Sequence, residues 1–113
     1  MYALEVKRNA AGNEKIDEDL RRLAAIVERT DDLRAFLCVA SEAQLPKRFV
    51  STKGFRKTSV IPLEGTDSSY QVTGVFKASP YLNSKKIDKA HYCCVIEVFA
   101  NGDITDEESD AED

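Results

Sequence analysis

The sequence predicts a single α/β domain: a mixed β-sheet that opens with a βαβ unit and carries one main amphipathic helix. Three observations predict it. The chain has 113 residues, enough for one domain with one modest core. Its first 40 residues read, in order, as an alternating strand, an apolar helical stripe and a continuous apolar run. Two later stretches, 70–78 and 92–100, are strand-like and read as antiparallel neighbours.

In the first element, Tyr2, Leu4 and Val6 alternate with Ala3, Glu5 and Lys7. A period of two makes a strand with one apolar face, so Leu4 and Val6 are expected to point into the core. Asn9 to Asn13 is turn-like, and Asn13 reads as a helix N-cap. Glu14, Asp17, Glu18 and Asp19 crowd the first turns, where the helix dipole favours negative charge. Ile16, Leu20, Leu23, Ala24 and Val27 form one stripe on a helix that Thr30-Asp31-Asp32 ends. Arg34 to Ala40 is an apolar run of the kind found in strands covered on both faces. The two strands are expected to be parallel, joined by a right-handed crossover.

Leu45-Pro46 marks a break, followed by a basic loop over 47–57. Val60 to Leu63 predicts a short strand, which Pro62 confines to an edge. Tyr70, Val72 and Phe76 are expected on one face of the 70–78 strand. Ser79 to Lys89 reads as a loop or a short helix, and Asn101-Gly102 stops the last strand. Residues 1–100 then form the domain. Residues 101–113 carry seven acids and no base, which predicts a disordered acidic tail.

Composition narrows the function classes. No apolar run reaches the roughly 18 residues of a membrane span, so no membrane partner is expected. Met1 leads straight into the first strand without a basic n-region or apolar signal core, which predicts a cytoplasmic location. Cys38, Cys93 and Cys94 are odd in number, show no CxxC spacing, and read as buried reduced thiols. The formal net charge of −4 conceals a strong asymmetry: without its tail the body would be positive. The acidic balance is therefore no argument against anionic ligands.

One short motif carries chemistry. Glu5 and Lys7 share a strand face; a carboxylate can hold a divalent metal, and a neighbouring lysine can orient water or stabilise charge on a phosphate. Glu5-Val6-Lys7 on a strand, followed by an amphipathic helix and a buried strand, resembles the second half of the PD-(D/E)xK nuclease superfamily core. The matching stretch runs from Tyr2 to Ala40. The resemblance implies that Glu5 is a metal ligand, that Lys7 is the catalytic lysine, and that the cofactor is Mg²⁺. The family's metal-binding aspartate lies on the strand before E-x-K, and here only Met1 precedes Tyr2. Three explanations stay open: the chain is a fragment of a nuclease, a carboxylate such as Glu97 or Glu64 substitutes, or the site is a relict used for binding.

The second functional feature is Lys47, Arg48, Lys53, Arg56 and Lys57, interleaved with Phe49 and Phe55 and with no acid among them. Lysine and arginine supply the phosphate-dependent part of nucleic-acid affinity, and exposed aromatics stack on bases. The competing expectation is a solvated loop anchored by its two phenylalanines. A nucleic-acid-associated, nuclease-like protein is thus expected. The rival is a small acidic interaction protein or inhibitor, for example phage or mobile-element encoded, that binds a basic protein partner. A homodimer covering the edge of the first strand is a further expectation.

Overall fold

The computed structural model describes residues 2–8, 12–42, 44–78 and 90–103. In chain order these form β1 (Tyr2–Arg8), α1 (Asn13–Arg29), β2 (Arg34–Ser41), β3 (Ile61–Pro62), β4 (Ser68–Ala78) and β5 (His91–Ala100), followed by a short 3₁₀ turn at Asn101–Asp103. The strands make one mixed sheet ordered β1-β2-β5-β4-β3. β1 runs parallel to β2 over the whole of its length, from Tyr2 opposite Arg34 to Arg8 opposite Ala40. The other pairings are antiparallel, and β3 is the expected short edge strand. Segment 79–89 and the tail beyond Asp103 lie outside the described residues.

The helix begins one residue earlier in its capping than the sequence suggests. Gly12, at φ +86°, occupies the N-cap, and Asn13 is the first helical residue. Glycine reaches that left-handed conformation without steric cost, and its carbonyl accepts the Ile16 amide at 3.2 Å. The stop is as expected, with Thr30 extended and Asp32 at φ +59°. Ile16, Leu20, Leu23, Ala24 and Val27 are all buried in one core with Leu37 and Val39 of β2, Cys94, Ile96 and Val98 of β5, and Tyr70 and Val72 of β4.

Among the described residues α1 is the one α-helix and it packs on one sheet face, and this corrects three expectations. β2 alternates rather than being buried on both sides: Ala35, Leu37 and Val39 are buried, while Phe36, Cys38 and Ala40 on the open face are half-buried. On β1 the apolar face turns away from the helix, leaving Leu4 63% and Val6 70% exposed. The reason is positional. β1 is an edge strand beyond the apolar stripe of α1, so its helix-side face meets the polar flank of that helix. Charged partners, not apolar ones, therefore set its orientation. On β4 a register shift between Val72 and Gly74 inserts Thr73 as a bulge. It leaves Tyr70 and Val72 in the core and turns Phe76 onto the open face, where it is exposed. Of the cysteines, only Cys94 is fully buried, and burial pushes its thiol up to about 12. Cys38 and Cys93 are half-buried free thiols on the open face.

Candidate functional site

Glu5 and Lys7 do share a face, as their spacing requires. They stand opposite Leu37 and Val39 of β2, whose side chains lie under α1, so both point to the helix side of the sheet. There they meet Asp19 and Arg22, which sit three residues apart on one flank of α1. Lys7 Nζ is 2.9 Å from Asp19 Oδ2. Arg22 Nη1 lies 3.1 Å from Asp19 Oδ1 and donates to both carboxylate oxygens of Glu5 at 3.2 Å. The quartet is formally neutral. Its hydrogen bond to Glu5, then the charges of Glu5 and Asp19, raise the Arg22 pKa above its ordinary value.

Asp19 is the inner member. Its side chain is 3% exposed, against 28% for both Glu5 and Lys7. Lys7 reaches Asp19 Oδ2 at ion-pair distance but off the hydrogen-bond direction, so among the described residues this buried oxygen has no hydrogen-bond partner. The sequence did carry a signal for Asp19. It lies at i+3 from Ile16 and immediately before Leu20, within the apolar stripe, where a buried carboxylate calls for a cationic partner. The carboxylates proposed to complete the site do not approach it. Glu97 is on β5 with its side chain on the opposite sheet face, ion-paired with Arg34 at 3.1 Å. Glu64 follows β3 at the far edge of the sheet, about four strand spacings from β1.

The basic segment is divided by the fold. Arg48 is drawn inward: its Nη2 is 2.5 Å from Asp17 Oδ1, its Nε donates to the Tyr70 hydroxyl at 3.3 Å, and its guanidinium lies over the rings of Phe49 and Tyr70. Burial works against this charge, but the hydrogen bonds to Asp17 and Tyr70 outweigh it and raise the pKa. Phe49 is a core anchor, whereas Phe55 is exposed. Arg56 donates to the Val72 carbonyl at 2.9 Å. Lys47, Lys53 and Lys57 are exposed and have no ion-pair partner among the described residues. Asp17 and Asp19 are about 200° apart around the helix, so the basic segment and the Glu5–Lys7 quartet occupy opposite flanks of the same two turns of α1.

The far end of α1 has the opposite character. A groove of about 1400 Å³ there is lined by Glu28, Asp31, Asp32, Asp67 and Glu97, against Arg29 and Arg34. Glu28 is engaged locally, accepting hydrogen bonds from the Asp67 amide and the Ser68 hydroxyl. Among the described residues, no three His, Cys, Asp or Glu side chains converge as a metal ion would require of the protein alone. No protein-family model matches the chain, and no curated protein or solved structure is significantly similar to it.

Proposed function

We propose that this chain is a nucleic-acid-associated protein whose Glu5-Val6-Lys7 strand is a nuclease-like phosphodiester site of the PD-(D/E)xK type. One observation carries the proposal. Arg22 Nη1 sits between the carboxylates of Glu5 and Asp19, 3.1 to 3.2 Å from oxygens of both, with Lys7 beside them. A cation thus stands where two hard-oxygen donors meet. Mg²⁺ commonly takes only one or two carboxylates and completes its shell with water and substrate phosphate, so the donor set fits that ion. Glu5 and Asp19 would hold it once Arg22, the most exposed member of the quartet, swings away. The ion would supply Lewis-acid polarisation of a phosphoryl oxygen. Lys7, oriented by Asp19, would stabilise negative charge developing on the phosphate. The parallel β1–α1–β2 arrangement supports the family resemblance.

The test is cleavage of labelled DNA and RNA strands in Mg²⁺ or Mn²⁺ by the wild type, Glu5→Gln and Lys7→Met. Metal-dependent nicking lost in both variants is the expected result. Nicking that survives both places the chemistry elsewhere. The absence of nicking together with unchanged metal binding in Glu5→Gln overturns the proposal.

The acidic groove at the C-terminal end of α1 favours a second reading, an interaction protein that binds a basic protein segment there. Charge reversal at Asp31 and Asp32 would abolish such binding and leave any cleavage intact. A homodimer would pair the β1 edges of two copies; sedimentation equilibrium tests it, and a monomer at every concentration excludes it.

A further inference from the structure

We infer that the hairpin of residues 50–56 is a stacking finger for single-stranded nucleic acid, with Phe55 as the side chain on which a base rests and Lys53, Arg56 and Lys57 as phosphate contacts. The inference rests on the nucleic-acid proposal above and names the form of the ligand and the element that grips it.

The hairpin is short and held along its whole length. Val50 and Arg56 form an antiparallel bridge. Ser51 N donates to Phe55 O at 2.7 Å, Gly54 N to Ser51 O at 2.9 Å and Lys57 N to Phe49 O at 2.9 Å. The Ser51 hydroxyl accepts the Lys53 and Phe55 amides at 3.3 and 3.2 Å. Gly54 makes the turn at φ +87°, a conformation that a side chain would strain. At the root, Phe49 is fully buried, and Arg48 ties the segment to Asp17 of α1.

This rigidity gives the exposed aromatic its meaning. Phe55 is 70% exposed, while Phe49, six residues earlier, is in the core. The hydrogen-bonded tip fixes the backbone that presents Phe55. An aromatic face held in water among lysines matches a ligand that offers both a flat π-face and phosphates. In a duplex each base face is already stacked, so one narrow tip finds its partner on an unpaired strand. The root of the finger, through Arg48 and Asp17, and Lys7, through Asp19, are anchored on opposite flanks of the same turns of α1.

The test is fluorescence anisotropy with a short labelled oligothymidylate, a duplex of equal length and an abasic strand of equal charge. Phe55→Leu should weaken oligothymidylate binding by about 5- to 150-fold, the loss of one base stack, and Phe55→Tyr should retain it. The abasic strand should bind weakly and ignore Phe55→Leu. Replacing Lys53 and Lys57 with alanine should make the salt slope shallower by about 1.4. Because Phe55 is exposed, thermal melts of the variants should match the wild type. Equal binding by Phe55→Leu, or an abasic strand bound as tightly as oligothymidylate, would overturn the stacking role. The two proposals fail separately. Phe55-dependent binding without cleavage removes the Glu5–Lys7 chemistry and keeps the finger, whereas cleavage indifferent to Phe55→Leu removes the finger alone.

Discussion

Arg22 holds Glu5 and Asp19 through a single nitrogen, so truncating it frees Glu5 and leaves Asp19 paired with Lys7 alone. Arg22→Ala should therefore tighten Mn²⁺ binding, read by titration of the paramagnetic ion, and Glu5→Gln in the same background should reverse the gain. Asp19 behaves differently because it is buried and holds both Lys7 and Arg22. Asp19→Ala is expected to cost about 1–3 kcal/mol in urea denaturation, the usual consequence of breaking a buried charge-assisted cluster. Cys94 makes a pH-dependent prediction. Its folded pKa is about 12, raised by burial, whereas an unfolded thiol ionises near about 8.5. The unfolded chain thus loses this proton first as pH rises. Stability from Cys94 is complete below about pH 8.5 and is lost progressively towards about pH 12. Urea midpoints measured across that range should fall less steeply in Cys94→Ala.

Helix and strands divide their work unevenly. The α1 stripe supplies the core, and Leu23→Ala should cost about 2–5 kcal/mol because the side chain is enclosed between the helix and sheet. Val6→Ala should cost less than about 1 kcal/mol, since that side chain stands on the uncovered face. Equal losses at the two positions, by urea denaturation, would contradict the orientation of β1. The orientation has a cause that period-two patterning does not contain. Alternation shows that Leu4 and Val6 share a face, but the direction of that face depends on what covers it. Asp19 and Arg22 hold Glu5 and Lys7 on the helix side, and the apolar residues necessarily take the other. The Thr73 bulge acts similarly on β4, because one extra residue reverses every side chain beyond it.

Across the whole molecule, charge is polarised along α1. The basic finger lies by its N-terminal turns and the acidic groove by its C-terminal end. The seven carboxylates of residues 103–113 account for the sign of the formal net charge: removing them takes the chain from −4 to +3. Deletion of 103–113 should raise oligonucleotide affinity at low salt and lose that advantage as screening shortens the field. Engagement of three or four exposed cations would give a single-strand salt slope of about −2 to −3. Identical affinity of the intact and shortened chains at low salt would remove any competition between the tail and the finger.

Periodicity was enough to place the strand–helix–strand unit, its parallel pairing, the α1 stripe and the Pro62 edge strand, because these follow from local spacing and from the handedness of short crossovers. The shared face of Glu5 and Lys7 was legible for the same reason. Their partners were not, since Asp19 is 12 residues beyond Lys7 and reaches it only once the helix has folded back over the sheet. The segment 47–57 shows the same division. Its charge and two phenylalanines are plain in the sequence, yet only packing buries Phe49, commits Arg48 to Asp17 and leaves Phe55 in water. Local pattern decides which residues travel together; long-range burial and ion pairing decide which way they face, because those free energies depend on neighbours that the chain brings together only on folding.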